Sequence, residues 1–308
     1  MTGNGNKGRI NEEMQMKNRI ISFLNAKLRR EEKDATRGKG DPCCGEGLPY
    51  DEGVAGKLLQ GKKVLITGAG RNIGRGIAIE MAGQGAHIFF TDIDAGRCEN
   101  LAEELRKYEG TVKYFLSDIS KTADIDSLCQ QLREETIHID ILVNNAGIQF
   151  ETKHLEDLAM ADLHKVFHTN VFGPLYLTKC IGQVMVSHNI PGSILFITSI
   201  HESVTSRWLH YSSSKAALRM IIKELAMDLA KHGIRVNGIA PGWVAEDEHG
   251  NTRNFSYAPL YGSSINPCYI GRAAVYLSSE YFSKFTTGTV ITVDAGLSLH
   301  SYLTLHDR

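Results

Sequence analysis

The stretch Thr67-Gly68-Ala69-Gly70-Arg71-Asn72-Ile73-Gly74 lies between a short apolar run that ends at Thr67 and a helical pattern that begins at Ile73. Glycines in a strand-to-helix turn let the backbone approach a pyrophosphate, whose charge the free N–H groups of the helix N-terminus stabilise. A second apolar run ends at Asp92, about 20 residues further on, where a carboxylate can bind the hydroxyls of an adenosine ribose. The turn therefore predicts a dinucleotide-binding unit of strand, helix and strand.

Apolar runs and helical patterns alternate along the rest of the chain from Lys62 onward. Such alternation is typical of a parallel sheet with helices on both faces. We therefore predict the α/β class, with a Rossmann-like, doubly wound parallel sheet of about seven strands. The predicted strands are Val64–Thr67, Ile88–Thr91, Val112–Leu116, Ile139–Val143, Ile194–Thr198, Ile234–Ile239 and Val290–Val293.

The composition is that of a globular protein with a large core, since the 308 residues are 42% hydrophobic and 22% charged. The formal net charge of -1 gives no electrostatic attraction to nucleic acid or to an anionic membrane, so we expect a small-molecule partner. No run approaches the roughly 18 apolar residues of a membrane span, and a cytoplasmic location is the default expectation. The six cysteines show no zinc-type paired spacing, so no metal site is predicted.

The beginning of the chain differs from the rest, and we predict an N-terminal arm and linker at residues 1–60, followed by a dinucleotide-binding catalytic domain at residues 61–308. The arm ends in a segment rich in glycine and proline, which is typical of a linker. A transit peptide is the alternative, but Glu12 and Glu13 oppose it because such peptides are poor in acids. Apolar residues recur at helical spacing in the arm at Ile10, Met14, Ile21, Leu24 and Leu28.

Asp92 and Arg71 give opposite indications of the cofactor. The Asp92 carboxylate would repel the 2′-phosphate of NADP, which favours NAD. The Arg71 guanidinium would pair with that phosphate, which favours NADP. We give Asp92 more weight because the next residue, Ile93, offers no second cation. Asp118, after the third predicted strand, either bonds the adenine amino group or caps the helix that follows it.

Tyr211 and Lys215 lie four residues apart on a predicted helix and therefore share one face. The lysine ammonium can stabilise the tyrosine phenolate, so we expect it to lower the pKa of Tyr211 and make this residue an acid–base group. Ser199 follows a predicted strand at the sheet edge where ligands gather. Asn170 lies inside a predicted helix, where its amide is locally unfavourable, which favours a functional reason. An exposed Tyr and Lys on a solvated helix is the alternative interpretation.

Four motifs together resemble the single-domain Rossmann branch of the short-chain dehydrogenase/reductase family in order and spacing. They are Thr67–Gly74, Asn144–Gly147, Tyr211–Lys215 and Pro241–Gly242, and the resemblance covers about Gly61 to Leu299. The resemblance implies an oxidoreductase that transfers a hydride between a nicotinamide dinucleotide and an alcohol or carbonyl compound. NAD is the expected cofactor and NADP the less favoured one.

The resemblance also assigns roles to single residues. It implies that Tyr211 exchanges the proton, that Ser199 bonds the substrate oxygen and that Lys215 also binds the nicotinamide ribose. Asn170 would hold a water of a proton relay. The implied cofactor-binding residues are Gly68, Gly70, Arg71, Asn72, Ile73, Gly74, Asp92, Ile93, Asp118, Ile119, Asn145, Ala146, Gly147, Tyr211, Lys215, Pro241, Gly242 and Val244.

The sequence departs from the family pattern at three places. Asn72 replaces the middle glycine of the turn, and we expect the turn to survive because asparagine tolerates a left-handed backbone. Ala295 replaces a second glycine. Ser199 lies one residue closer to Tyr211 than the family's serine usually does, so Thr198 competes for its role. The His-Glu pair that follows Ser199 in some family members favours Ser199 and a one-residue deletion.

The substrate region is predicted to contain Gln149, His201, Glu202 and Trp243. His201 and Glu202, together with His210, are similar to the corresponding residues of bacterial glucose dehydrogenases in this family, which favours a sugar, a polyol or another hydroxylated substrate. The alternative is that these side chains bond protein groups. The loop from Trp243 to Tyr261 is shorter than is usual for the family and either closes as a lid or leaves a shallow or partner-completed site.

Other classes of function remain open at this point. One is a catalytically silent NAD(P)-binding regulator or scaffold, and another is a purely structural subunit that binds no nicotinamide. The family resemblance also implies a homo-oligomer, either a dimer or a homotetramer, formed through the helices that contain Asn170 and Tyr211.

The apolar stripe of the arm leads to a first prediction. Leaving it in water would cost about 1.5 to 3 kcal/mol for each large side chain that is otherwise buried, so we expect the arm to pack across an oligomer interface. Deletion of residues 1–56 should therefore give smaller species in light scattering, or lower the melting temperature in a way that depends on protein concentration. An unchanged oligomer of unchanged stability would contradict this expectation.

Overall fold

The structure, a computed structural model, describes residues 57–150, 154–205, 207–245 and 260–299. Seven strands form one parallel sheet in the order β3-β2-β1-β4-β5-β6-β7. Their bounds are β1 Lys63–Thr67, β2 His87–Asp92, β3 Val112–Leu116, β4 Ile141–Asn144, β5 Ser193–Ile197, β6 Arg235–Pro241 and β7 Val290–Val293. Because β1 pairs with both β2 and β4, the winding direction reverses between β3 and β4. Such a reversal opens a crevice at the carboxyl ends of β1 and β4.

Helices cover both faces of the sheet. Their bounds are α1 Asn72–Gly83, α2 Ala95–Leu105, α3 Thr122–Glu134, α4 Met160–Phe167, α5 Gly173–Ser187, α6 Leu209–Leu229, α7 Pro267–Ser278 and α8 Glu280–Ser283. A π-helical turn, His168–Phe172, joins α4 to α5. The helices α1, α2 and α7 contribute buried side chains to the core on one face of the sheet. The helices α3, α5 and α6 contribute to the core on the other face.

The side chains of single strands divide between these two cores. Val64 and Ile66 of β1 belong to the first core, and Leu65 between them belongs to the second. A strand that is buried on both faces reads as a continuous apolar run, which explains why the sequence revealed these strands. The predicted class, topology and strand number are confirmed. Observed strand ends differ from the predicted ones by one or two residues, as at β4, which begins at Ile141.

The described chain begins within the predicted linker. Leu59 is fully buried in the first core, so the last residues of the 1–60 segment belong to the body of the domain. Residues 1–56, which include the predicted apolar stripe, lie outside the described residues. No helix in the described ranges has both the length and the apolar character needed to cross a membrane. Those ranges also contain no cluster of three metal-binding side chains.

Close packing of α1 against α7 fixes the helix that follows the glycine turn. A Cβ atom on Gly76 would lie 2.6 Å from the carbonyl carbon of Pro267, and one on Gly271 would lie 2.6 Å from the carbonyl oxygen of Gly76. Neither position can accept a side chain without displacing backbone. The two glycines therefore hold the N-terminus of α1 at a defined distance from the sheet edge.

Candidate active site

The glycine turn leaves β1 at Thr67 and enters α1 at Asn72. Gly68 has a φ of +62°, and a Cβ atom there would lie 2.9 Å from the Cα of Ala146. Asn72 has a φ of +47°, so the expectation that asparagine would support the left-handed turn is confirmed. Arg71 precedes the helix in an extended conformation, and its exposed side chain does not cap the helix. The first N–H groups of α1 therefore face the crevice without a side-chain cap.

The loop after β4 is tied to this turn by side-chain hydrogen bonds. The backbone N–H groups of Asn145 and Ala146 both donate to Thr67 Oγ1, each at 3.1 Å. The Asn145 amide donates in return to the carbonyl oxygens of Thr67 and Gly68 at 2.9 Å. These bonds hold the two loops of the crevice in one arrangement, with Gly147 at its floor.

Asp92 ends β2 beside the glycine turn and is almost fully buried. Its carboxylate accepts the N–H of Gly70 at 2.9 Å and the N–H of Asp94 at 3.2 Å. Ile93 next to it is 73% exposed and offers an apolar surface. The arrangement brings the predicted ribose-binding acid to the mouth of the crevice and fixes its orientation.

Asp118 and Ile119 follow β3, and their side chains are less well placed than Asp92 to bind a cofactor. The Asp118 carboxylate accepts the N–H of Ser120 at 3.0 Å and its hydroxyl at 2.7 Å, so it stabilises its own turn. The sequence had left open that Asp118 caps the helix that follows it, but that helix, α3, begins after Lys121 without a side-chain cap. The Ile119 side chain is buried in the second core, so only its backbone can face a ligand.

The crevice fits a dinucleotide on two observations. The floor of the crevice is lined by glycines at which a Cβ atom would collide with neighbouring atoms. At Gly70, for example, such an atom would lie 2.9 Å from Asp92 Oδ2. Three buried polar atoms, Asn72 Oδ1, Thr91 Oγ1 and Ser117 Oγ, have no hydrogen-bond partner among the described residues. They lie on the glycine turn and at the ends of β2 and β3, where a polar ligand is expected. The residues present therefore suit the nicotinamide dinucleotide that the motifs imply.

Ser199 and Tyr211 meet at the carboxyl end of β5. Ser199 follows this strand directly, Tyr211 lies in the first turn of α6, and Ser199 opposes part of the effect of burial on the pKa of Tyr211. The competing Thr198 donates its hydroxyl to the carbonyl oxygen of Ile239 at 3.1 Å, on the neighbouring strand. The geometry therefore supports Ser199 over Thr198.

Lys215 lies one turn beyond Tyr211 and is only 4% exposed. Its Nζ donates to the carbonyl oxygen of Ile197 at 2.7 Å and lies 5.5 Å from the centre of the Tyr211 ring. Burial lowers the pKa of Lys215 from its usual 10.5 to about 8, against the opposing effect of the Glu202 charge. A neutral carbonyl is thus the one hydrogen-bond acceptor found for this ammonium in the described ranges.

The expected lowering of the pKa of Tyr211 by Lys215 is not found in the chain. Burial raises the pKa of Tyr211, and the side chain of Ser199 opposes this only in part. The reason is that the tyrosine hydroxyl is desolvated, while the ammonium is directed to the carbonyl of Ile197. The neutral hydroxyl of Tyr211 therefore lies beside Lys215, whose charged form is disfavoured by burial.

Asn170 lies in the π-helical turn between α4 and α5 and is almost fully buried. Its Oδ1 accepts the N–H of Ile148 at 2.8 Å, and its Nδ2 donates to the Ile148 carbonyl at 2.9 Å and to Ser214 Oγ at 3.1 Å. The amide does not bond its own helix but joins the loop after β4 to α6. A Cβ atom on Gly147 would lie 3.3 Å from Asn170 Oδ1 and 3.6 Å from Lys215 Nζ, so these groups converge.

Pro241, Gly242 and Val244 lie where β6 ends, beside the end of β5. Gly242 donates its N–H to the Val293 carbonyl at 3.0 Å, and Val244 forms a bridge with Ile265. Ala295, the second departure from the family pattern, has a φ of +52°, so an alanine here occupies the left-handed region. The predicted nicotinamide-side residues therefore reach the same sheet edge as Ser199.

Aromatic side chains surround Tyr211 on the predicted substrate side. The centre of the His201 ring lies 5.2 Å from that of Tyr211 and 5.3 Å from that of Trp208. Burial lowers the pKa of His201, and the charge of Lys215 adds to this effect. His210 is directed elsewhere, because it is buried with Nε2 3.4 Å from the Ala159 carbonyl. Of the two histidines, only His201 lies beside the proposed proton donor.

The remaining predicted substrate residues have different surroundings. Gln149 is exposed at the end of the loop after β4, and Trp243 is half exposed after β6. The Glu202 side chain is buried and bonds Arg219 at 2.7 Å, so it is not directed to a substrate. For Glu202 the structure supports the protein-bonding alternative. Residues 246–259 of the loop between Trp243 and Tyr261 lie outside the described residues.

Sequence reasoning missed several residues of the site. Trp208 could have been noted, since it is aromatic and three positions before Tyr211 on the same helix end. Thr67 and Ser214 lie within the motifs Thr67–Gly74 and Tyr211–Lys215, but the sequence assigns neither of them a role of its own. Arg219 carries no signal, because its importance depends on Glu202, which is 17 residues away in the sequence. Only the folded chain brings these partners together.

Known proteins resemble this chain over most of its length. A family model described as enoyl-(acyl carrier protein) reductase, adh_short_C2, matches residues 68–298. The 7alpha-hydroxysteroid dehydrogenase of Escherichia coli (strain K12) is 34% identical over 245 residues, covering 77% of this chain and 94% of that protein. The glucose 1-dehydrogenase of Gluconobacter oxydans (strain 621H) is 31% identical over 265 residues, covering 82% and 96%. A solved short-chain type dehydrogenase/reductase from Mycobacterium marinum has a TM-score of 0.71 at 27% identity, covering 78% and 96%.

The parallel sheet and the matching family model define an oxidoreductase of the α/β class. The chain belongs to the short-chain dehydrogenase/reductase family. Family membership implies an enzyme that uses a nicotinamide cofactor. It does not decide between NAD and NADP.

The buried ammonium of Lys215 leads to a prediction about stability. The shift of its pKa from 10.5 to about 8 corresponds to about 3 kcal/mol, which the folded state loses while the lysine is charged. This cost is complete below pH 8 and disappears as the pH rises towards 10.5, so stability due to this group rises over that window. Lys215→Met should therefore make the cofactor-free protein at least as stable at neutral pH, and its advantage should shrink as the pH rises.

Urea unfolding followed across that pH range measures the effect. Lys223→Met is the matched control, because Lys223 lies on the same helix but is exposed. A Lys215→Met protein clearly less stable at neutral pH would show that burial of the ammonium costs little.

Proposed function

We propose that the protein transfers a hydride between NAD(H) and an alcohol or carbonyl compound, with Tyr211 as general acid and base. The observation that carries this proposal is the meeting of Tyr211, Ser199 and Lys215 at the carboxyl end of β5. This constellation adjoins the crevice of the glycine turn. A hydride donor held in that crevice and a proton donor beside it are the two requirements of the reaction.

The chain's own residues would hold the cofactor and handle the proton. The glycine turn and the N-terminus of α1 would bind the pyrophosphate, Asp92 the adenosine ribose, and Lys215 the nicotinamide ribose. When bound, the nicotinamide accepts or gives the hydride. In the direction of oxidation, Tyr211 takes the hydroxyl proton of the alcohol while Ser199 donates a hydrogen bond to the same oxygen.

The charge of Lys215 would favour the tyrosinate that this proton transfer requires. Asn170 is proposed to position a water that carries the proton from Lys215 to solvent, as the family resemblance implies. Its side chain joins the Ile148 loop to α6 next to Lys215, which supports this assignment. Each residue thus acts on the position or the charge of the transferred proton.

The proposed substrate is a hydroxylated small molecule such as a sugar or polyol. The names of the relatives support this class, since they include a glucose 1-dehydrogenase, a galactitol 2-dehydrogenase and a hydroxysteroid dehydrogenase. His201 beside Tyr211, with Gln149 and Trp243 at the rim, would contact it. A buried, neutral imidazole can both donate and accept a hydrogen bond, which suits recognition of a hydroxyl.

The protein is proposed to work in the cytoplasm as a dimer or homotetramer, with no nucleic acid or membrane partner. The large apolar side chains that α6 leaves exposed support self-association, for example Met227 and Met220. Burial of such side chains against a second copy would remove apolar surface from water.

The first test removes the hydroxyl of Tyr211. Tyr211→Phe should lower turnover by at least about 100-fold, a typical contribution of a general acid or base, and leave NADH affinity nearly unchanged. Lys215→Ala should weaken both turnover and NADH binding. Nicotinamide absorbance measures turnover on a panel of sugars, polyols, hydroxysteroids and ketones, and Tyr281→Phe at an exposed position is the control.

Near-normal turnover in Tyr211→Phe would overturn the assignment of the proton to this residue. NADH binding by the wild type without turnover on any compound of the panel would instead favour a catalytically silent regulator or scaffold.

The second test concerns the choice of cofactor. The buried Asp92 carboxylate, fixed by two backbone N–H groups, would repel a 2′-phosphate, while Arg71 is exposed. The protein should bind NADH more tightly than NADPH in fluorescence titrations, and Asp92→Ala should narrow the difference. Asp94→Ala is the matched control, since this acid caps α2 instead. Equal affinities in the wild type would show that Arg71 outweighs Asp92.

A further inference from the structure

An ion pair between a buried acid and a half-exposed arginine joins the two elements that carry the proposed proton-transfer residues. Glu202 ends the short 3-10 helix Ile200–Glu202, directly after Ser199. Arg219 lies one turn beyond Lys215 on α6, and its Nη1 is 2.7 Å from Glu202 Oε1. The pair therefore ties residues 199–202, called the serine turn below, to the helix of Tyr211 and Lys215.

The two charges of this pair are unequally placed. The Glu202 side chain is 3% exposed, whereas that of Arg219 is 47% exposed and reaches solvent. The second carboxylate oxygen, Glu202 Oε2, is buried and has no hydrogen-bond partner in the described part of the chain. Solvent screens the charge of the half-exposed Arg219 more than that of the buried Glu202. The electrostatic potential in the protein interior beside α6 therefore stays negative.

Lys215 lies one turn before Arg219 on the same face of α6, so it is a buried cation on the side of the helix where Glu202 is bound. Its hydrogen bond to the Ile197 carbonyl involves no opposite charge. The charged or titratable groups around it in the described ranges are Tyr211 and Arg219 on its own helix and His201 and Glu202 on the serine turn. The loop after β4 and the π-helical turn contribute a glycine and an amide, Gly147 and Asn170.

Among these groups Glu202 is the acid that opposes the effect of burial on Lys215. We propose that Glu202 is a positioning residue for the proposed reaction, which holds the serine turn on α6 through Arg219 and supplies the negative charge that keeps Lys215 protonated. The effect on turnover rests on the proposed function. The effect on Lys215 itself does not, because it belongs to the cofactor-free chain.

The two members of the pair allow the electrostatic effect to be separated from the structural one. Glu202→Gln keeps the shape and an acceptor for Arg219 but removes the negative charge, so the pKa of Lys215 should fall. Arg219→Met removes the tie but leaves the carboxylate without its counter-charge, so the pKa of Lys215 should rise. A purely structural pair would give two variants with the same defect.

The first experiment measures kcat/KM against pH for the wild type and both variants. Activity should fall on the alkaline side as Lys215 loses its proton. We expect this alkaline limb to move by about one pH unit to lower pH in Glu202→Gln and to higher pH in Arg219→Met, as for an opposite charge at close range. Equal losses of turnover with an unmoved alkaline limb would overturn the proposal.

The second experiment needs no turnover and uses urea unfolding of the cofactor-free protein across the same pH range. Stability should begin to rise at lower pH in Glu202→Gln than in the wild type, and at higher pH in Arg219→Met. Both differences should vanish in a Lys215→Met background. Persistence of the differences in that background would show that Glu202 acts on another group and would overturn the proposal.

The two experiments fail in distinguishable ways. If the protein has no turnover, the unfolding series still decides whether Glu202 acts on Lys215. If turnover is present and both series show no opposite shifts, the proposed function stands and the role of Glu202 is wrong. If one of the two variants does not fold, the direction of the shift in the other decides.

Discussion

The hydrogen bonds between the ends of β1 and β4 are the interaction on which the site depends. Thr67 Oγ1 accepts two backbone N–H groups from the loop after β4, and Asn145 returns two bonds to the turn after β1. These strands are neighbours because the winding direction reverses there, so the reversal creates the crevice and the hydrogen bonds fix its width. These hydrogen bonds keep the glycine turn and the Gly147 backbone at a fixed distance from each other.

The proposed proton-transfer residues lie beside the same crevice on three further elements. Asn170 joins the loop after β4 to α6, and the pair of Glu202 and Arg219 joins the serine turn to α6. The helix α6 is therefore held from two sides. This arrangement leaves one buried ammonium, Lys215, close to an acid and to a phenol without a direct ion pair to either. Such a charge costs stability, which is typical of positions that serve chemistry rather than packing.

The fold could be predicted, and the main candidate site residues could be proposed, because their signals are local. Buried parallel strands are continuous apolar runs, and the glycine turn, Asp92 and the Tyr211 to Lys215 spacing lie within single elements. The partner of Glu202 could not be predicted, because it depends on the path of the turn between β5 and α6. The pKa of Tyr211 was expected to fall and instead rises, since the degree of burial and the direction of the Lys215 ammonium are properties of the folded chain.

The π-helical turn His168–Phe172 has a consequence for how this chain can change in length. A π turn contains one residue more than the α-helical turn that would replace it. Deleting one residue there would replace the π turn with an α turn of about the same total rotation, so α5 would keep its rotational phase relative to α4. Thr178 of α5 would still accept its hydrogen bond from Asn144 of β4 at 3.0 Å. The deletion would instead act on Asn170, which lies in this turn and joins the loop after β4 to α6, so its effect would be felt at the candidate site and not in the packing of α5.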